Sequence, residues 1–173
     1  RVCLGLHQVI FVPARKPPHK VGEPNASAEE RLEMVRLAIA GNPYFCLSRV
    51  DLDREGPSFT VDTLRAMRAD YPRAELFFLM GADSLIHLRT WHDPQGILRL
   101  ARILAVSRPG FPLDLDALDA RLPGLAAATD VLTTVRLDIS STDLRARVRE
   151  GRPIRYQVPD AVEAFIRARG LYK

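Results

Sequence analysis

Five stretches of the 173-residue chain bring together residue types that handle anions or flat rings. Pro13-Ala14-Arg15-Lys16-Pro17-Pro18-His19-Lys20 sets three cations and a histidine among prolines. Prolines fix φ, so such a segment can clamp an anionic group at little ordering cost, although a solvated basic loop has the same composition. Gly81-Ala82-Asp83 places a carboxylate just past a tight turn, where it can accept two ribose hydroxyls or cap the helix that follows. Thr90-Trp91-His92 holds the only tryptophan, and a rigid indole either stacks on a heteroaromatic ring or fills a core. Ser107-Arg108-Pro109-Gly110 presents a guanidinium suited to bidentate contact with phosphate, or simply a surface arginine beside a turn. Asp138 to Arg145 offers the hydroxyls of Ser140, Ser141 and Thr142 at a helix start, with Arg145 four residues after Ser141 and on its face. That arrangement can hold a phosphate, and Ser140 with Asp143 equally reads as a capping box.

Several chemistries drop out. The four histidines, His7, His19, His87 and His92, form no HxH or HxxxH pair, so no protein-built metal site is expected. GxSxG, GxGxxG and GxxxxGK[ST] are absent, which removes the α/β-hydrolase, dinucleotide-fingerprint and P-loop readings. Cys3 and Cys46 match no ligand spacing and read as reduced packing residues.

The elements that would position these stretches alternate. Gln8 to Val12 reads as a strand stopped by Pro13, and Phe45 to Val50, Glu75 to Met80, Arg102 to Ser107 and Val131 to Leu137 as four more. Ser27 with Glu30 is a capping box opening a helix that ends before Gly41. Further helices are expected from Ser58 or Thr60 through Met67, over Asp83 to Arg89, from Asp93-Pro94 to Leu100, and over Asp114 to Leu122, Ser140 to Glu150 and Pro159 to Arg169. Strands apolar on both faces, alternating with helices, predict a doubly wound α/β domain: one mostly parallel sheet with helices on both faces. Ligands of such sheets gather beyond the carboxyl ends of the strands, where the stretches above lie.

At 19.4 kDa, with 47% hydrophobic and 27% charged residues, the chain suits one globular domain over 1–173, its helical C-terminal part running from about 140. The net charge of +4 is spread along the chain, which argues against a nucleic-acid-binding tail. No apolar run approaches the ~20 residues of a bilayer span, so no membrane partner is expected, and a cytoplasmic location follows. The first residue is arginine, and Val2 to Leu6 reads as the tail of something already under way.

In order along the chain, the stretches resemble bacterial nicotinate-nucleotide adenylyltransferases, a family of Rossmann-like nucleotidyltransferases. The resemblance rests on Val12-Pro13 through His19-Lys20, Glu55-Gly56-Pro57-Ser58-Phe59-Thr60-Val61-Asp62-Thr63-Leu64, and Phe78 to Leu85. It continues through Thr90-Trp91-His92, Val106 to Gly110, Ile139 to Arg145 and the ending Gly170-Leu171-Tyr172-Lys173. It implies transfer of AMP from ATP to nicotinate mononucleotide, giving deamido-NAD and pyrophosphate. Trp91 would stack on the pyridine ring, Thr60 and the backbone amide at His92 would read its carboxylate, and Asp83 would hold ribose hydroxyls. His19, Lys20 and Arg108 would contact nucleotide or phosphate, with Ser140, Ser141, Thr142 and Arg145 cradling ATP phosphates. Mg²⁺ would ride on those phosphates, and the family leaves room for a homo-oligomer.

Two departures are tolerable: Phe59 stands where many members have tyrosine, and His92 where they usually have another aromatic. A third concerns the front. Members begin with a strand and a GxFDPxHxGH turn whose histidines line the ATP phosphates, and nothing in Arg1 to Gln8 matches it. That first strand lies mid-sheet, so an upstream segment carrying it is expected and the catalytic residues stay unassigned. The alternatives are a related enzyme acting on nicotinamide mononucleotide or phosphopantetheine, and a non-catalytic nucleotide-binding module.

Overall fold

The computed structural model describes residues 4–16, 26–107, 111–133 and 137–173. They fall into two compact units, Arg1–Ser58 with Asp138–Lys173, and Phe59–Leu137. The first unit opens with β1 (Val9–Phe11), α1 (Ala28–Ile39), β2 (Phe45–Leu47) and α2 (Val50–Asp53). The second holds α3 (Thr60–Asp70), β3 (Phe77–Gly81), α4 (Ala82–Ile86), α5 (Pro94–Leu100), β4 (Arg102–Ser107), α6 (Leu115–Asp119) and β5 (Thr129–Thr133). The chain then returns to the first unit with α7 (Ser141–Arg149) and α8 (Asp160–Arg169).

In the first unit β1 and β2 run parallel, Val9 opposite Phe45 and Phe11 opposite Leu47, with the Phe11 and Phe45 rings edge to face at 5.2 Å. The predicted capping box forms at α1: Ser27 Oγ accepts from the Glu30 amide at 3.2 Å, and Glu30 Oε2 accepts from the Ser27 amide at 2.7 Å. Both orphan donors at that helix start are thereby satisfied. Met34 and Leu37 of α1 pack on a core of Ala26, Ile154, Val162, Ile166 and Leu171, so α1 and α8 bury their apolar stripes in one cluster. Gly170 adopts a left-handed conformation (φ 62°) that lets the Leu171 amide turn back to the Ile166 carbonyl at 3.0 Å, ending α8.

In the second unit β3, β4 and β5 form a parallel sheet with β4 central. Phe78, Met80, Ile103 and Ala105 share one face and join Val61, Leu64, Leu85, Leu88 and Ile97 in the main core. On the other face Leu104 is buried, while Leu79 on outer β3 is 56% exposed.

Among the described residues the strands, each parallel to its neighbour within its own ladder and alternating with helices, match the α/β reading. They form two ladders where the sequence predicts one sheet: among the described residues β1 pairs with β2, and β3 with β4. Three elements differ locally. The strand expected to reach Val50 stops at Leu47, because Leu52 and Asp53 amides turn back to the Arg49 carbonyl and Asp51 and Leu52 are buried as a helical turn. The helix expected over Asp83 to Arg89 breaks at His87 (φ −98°, ψ 0°) into α4 and a 3₁₀ turn, Leu88–Thr90, tight enough to bury both Leu85 and Leu88. The strand expected over Val131 to Leu137 is β5, two residues earlier, and 134–136 lie outside the described residues. Cys46 is a free thiol on β2 that accepts from Gln8 Nε2, while Cys3 lies outside the described residues.

Candidate functional site

The second unit holds four of the predicted residues: Thr60 at the start of α3, Asp83 just past the end of β3, and Trp91 and His92 in the turn before α5. Thr60 is the first residue of α3, and the residue before it, Phe59, contributes no side-chain cap. A helix start without a side-chain cap presents amides and the positive end of the dipole, here beside the Thr60 hydroxyl, a combination suited to a carboxylate. The Phe59 ring lies flat against the imidazole of His92, centroids 4.3 Å apart and planes 28° from parallel. Phe59 in place of tyrosine therefore forms the floor on which His92 rests.

Trp91 meets Phe78 edge to face at 6.0 Å and leans on the main core, half-buried. The two readings of this indole, core or platform, are not exclusive: a half-buried tryptophan packed against the core can also serve as a stacking surface. The backbone around it is tightly specified. The Trp91 amide donates to the Leu88 carbonyl at 3.0 Å, and Asp93 follows in the left-handed region (φ 46°). Asp93 Oδ1 caps α5 through the Gly96 amide at 2.9 Å, while Oδ2 accepts from Arg65 Nη2 at 2.7 Å. A side chain at Gly96 would collide with that carboxylate. Arg65 also pairs with Asp62 at 2.7 Å, so α3 and the Trp91-His92 turn are fastened together by one guanidinium.

Asp83 lies in the first turn of α4, its carboxylate exposed. It does not cap the helix in the usual sense: Oδ1 accepts from the neighbouring Ser84 amide at 2.9 Å. This folds the carboxylate over Gly81, where any Cβ would strike it. Gly81 has ordinary extended backbone (φ −71°, ψ 149°), so a side chain there is opposed by the Asp83 carboxylate and not by the conformation. Asp83 lines a cavity of about 100 Å³ with Ala82, Val106 and Phe111, beyond the carboxyl ends of β3 and β4 where the sheet rule places ligands.

The phosphate-binding expectations belong to the first unit or to residues outside the description. Ser140 Oγ accepts from the Asp143 amide at 3.1 Å and is the N-cap of α7. The bond fills one acceptor site of the hydroxyl, whose O–H can still donate, and Asp143 is paired with Arg147 at 2.6 Å. Ser141 and Thr142 are exposed on the first turn of α7, with Arg145 half-buried one turn on. His19, Lys20 and Arg108 lie outside the described residues.

Sequence reasoning missed the Arg65–Asp93 fastening and the Phe59–His92 stack. The Asp93-Pro94 cap was legible, but a partner 28 residues away leaves no local periodicity to detect.

The comparisons with known proteins define the class of this α/β protein. A family model described as cytidylyltransferase-like matches residues 3–147. Three relatives carry the name probable nicotinate-nucleotide adenylyltransferase. The protein of a Roseiflexus species is 49% identical over 173 residues, spanning 100% of this chain and 86% of its own. That of Thermomicrobium roseum is 46% identical (98% and 79%), and that of Thermus thermophilus 47% (98% and 86%). The chain belongs to the cytidylyltransferase-like family and, within it, to the nicotinate-nucleotide adenylyltransferases. The fold agrees with a solved structure of Plasmodium falciparum nicotinic acid mononucleotide adenylyltransferase complexed with NaAD: TM-score 0.74 at 17% identity, covering 96% of this chain and 83% of that one. Among the described residues no helix is long and apolar enough to cross a membrane.

Proposed function

We propose that the protein transfers AMP from ATP to nicotinate mononucleotide, releasing pyrophosphate and forming deamido-NAD for NAD synthesis. The observation that carries this reading is the kinship at 46–49% identity across nearly the whole chain with relatives of that name. The second unit supplies a physical reason. An indole anchored on Phe78 stacks on the pyridine ring, the Thr60 hydroxyl and the His92 amide receive the nicotinate carboxylate, and Asp83 accepts the ribose hydroxyls. Neutral donors favour the negative nicotinate over the neutral nicotinamide without burying a full positive charge.

The reaction is an in-line displacement. A phosphate oxygen of the mononucleotide attacks the α-phosphorus of ATP, the bond to the β-bridging oxygen breaks, and that oxygen leaves with pyrophosphate. No nucleophilic side chain is needed, since the substrate brings its own. The protein aligns two anions that repel one another and offsets the charge of the transition state. His19, Lys20, Arg108, Ser140, Ser141, Thr142 and Arg145 are the groups proposed for the phosphates, with Ser140 also holding the start of α7 in shape. Among the described residues no three His, Cys, Asp or Glu side chains group tightly enough to hold a metal ion. Mg²⁺ would enter with the substrate, carried on the ATP phosphates. Residues 1–173 act as one catalytic domain in this reading.

The test is turnover by the natural gene product with ATP and each of three acceptors. One pyrophosphate per deamido-NAD with nicotinate mononucleotide is expected. Faster turnover of nicotinamide mononucleotide or phosphopantetheine would move the assignment within the superfamily, and no turnover with any acceptor would leave a nucleotide-binding module.

A further inference from the structure

Arg65 and Arg68, both on α3, reach across to α5 and hold different ends of it. Arg68 Nη2 donates to the carbonyl of Leu100, the last residue of α5, at 3.0 Å, and Nη1 to the Ala74 carbonyl. Arg65 Nη2 donates to Asp93 Oδ2 at 2.7 Å, and its Nη1 is steadied by Asp62 Oδ1 at 2.7 Å, one turn back on α3. Arg68 therefore secures the far end of α5, while Arg65 secures the residue next to His92.

Asp93 is the strained link of that turn. Its φ of 46° lies in the left-handed region, which a residue other than glycine holds where its surroundings over-determine it. Both carboxylate oxygens are engaged: Oδ1 caps α5 through the Gly96 amide at 2.9 Å, and Oδ2 takes the Arg65 bond. The cap ties Asp93 to its own helix; the Arg65 bond ties it across to α3. Arg99, 3.7 Å from Oδ1, stands on α5 itself and adds charge without a crossing. His92 in turn rests on Phe59, the residue before Thr60, with ring centroids 4.3 Å apart. A ring stack sets a spacing but lets the rings slide, whereas a charge-assisted bond to a capped carboxylate also sets a direction.

We propose that Arg65 is a positioning residue that sets acceptor selectivity: by holding Asp93 against α3 it fixes the His92 amide relative to the Thr60 hydroxyl. The inference rests on the mononucleotide reading above, in which those two donors receive the nicotinate carboxylate. A carboxylate offers acceptors to both donors, while a carboxamide offers one oxygen and an NH₂ group. Slack between the donors therefore weakens the acid more than the amide. Arg65 itself touches no substrate and acts through the turn it holds.

The test measures Kd for nicotinate mononucleotide and for nicotinamide mononucleotide by calorimetric titration of the natural gene product and its variants. In Arg65→Gln the first Kd should rise about fivefold, equivalent to about 1 kcal/mol, with the second little changed, so their ratio falls about fivefold. KM for ATP should stay within about twofold. Arg68→Gln should lower Tm at least as much yet leave the ratio unchanged, an outcome that a merely structural part for Arg65 would not produce. Arg99→Gln, which removes a charge near the same carboxylate, should also leave it unchanged. Arg65→Lys keeps the charge without the fork that spans two carboxylates, and should lie nearer Arg65→Gln than wild type. Should Arg65→Gln not fold, Asp93→Asn keeps the cap and tolerates the left-handed backbone, but turns an NH₂ group toward Arg65 and should lower the ratio likewise. An unchanged ratio in Arg65→Gln, an equal fall in Arg68→Gln or Arg99→Gln, or full recovery in Arg65→Lys overturns the proposal. A wild-type ratio near one also overturns it and leaves AMP transfer standing. A wild type that prefers nicotinate mononucleotide but transfers no AMP counts against the reaction alone, and the ratio still decides the part of Arg65.

Discussion

Gly81→Ala separates the role of Asp83 in binding from its role in stability. The backbone at Gly81 suits any residue, so the substitution adds no strain of its own, and the stiffer unfolded chain returns about 0.4–1 kcal/mol. The new methyl group lands on the Asp83 carboxylate, which must swing away and give up the Ser84 amide. An exposed bond of that kind is worth about 1 kcal/mol, and a displaced rotamer costs about as much again. The net loss is about 1 kcal/mol, a fall in Tm of roughly 3 °C for a chain of this size. Binding should suffer far more. If the carboxylate accepts both ribose hydroxyls, losing its alignment costs about 1.5–3 kcal/mol, or roughly 10- to 150-fold in Kd for nicotinate mononucleotide. Calorimetric titration against mononucleotide and ATP, beside thermal melts, reads both quantities. In a double-mutant cycle Asp83→Ala should absorb the effect of Gly81→Ala, because both remove the same contact. Affinity within twofold of wild type in the folded Gly81→Ala protein, or additive losses in the cycle, would refute the reasoning.

Two further perturbations test how the site is held. Asp93 combines a left-handed backbone, a helix cap and the Arg65 pair, so Asp93→Ala should cost about 2–4 kcal/mol in urea unfolding and Asp93→Gly, which tolerates that backbone, clearly less; equal losses would show that the backbone conformation carries no cost. The carboxyls of Glu29, Glu30 and Glu33 are held below the ordinary 4.5, by the Arg49 guanidinium, by the Ser27 amide and hydroxyl, and by Arg36 respectively. Their stabilisation is present above pH 4.5 and lost as pH falls through the lowered values, so Tm should hold down to about pH 5 and then decline, less steeply in Glu30→Gln. An equally steep acid limb in that variant would contradict the capping-box contribution.

The elements were legible where local chemistry sufficed. The Ser27-Glu30 box, the Asp93-Pro94 cap and the apolar runs of β3 and β4 each name their own boundaries within a residue or two. The roles proposed for Thr60, Asp83, Trp91 and His92 come from resemblance alone, since each by itself fits a cap or a core residue equally well. What stayed hidden was set by distant partners. The strand expected through Val50 gives way to a helical turn at Val50–Asp53, in which Asp51 is buried and paired with Arg54 at 3.1 Å. Ser140 suits a phosphate or a cap, and the bond from the Asp143 amide shows the cap without deciding the phosphate, since a hydroxyl that accepts can also donate. Arg31, which donates to the carbonyls of Ala14, Arg15 and Ala26, carries no periodic or motif signal, because backbone acceptors require no particular sequence.

Trp91 is the sole tryptophan of the 173 residues, so its fluorescence reports the central claim directly. Titrating the protein with nicotinate mononucleotide should quench the emission saturably, with nicotinamide mononucleotide at least tenfold weaker, about 1.4 kcal/mol for the missing charge, and no quenching in Trp91→Phe. Emission unmoved by a mononucleotide that the enzyme nevertheless turns over would contradict the account, because the pyridine ring would then lie elsewhere.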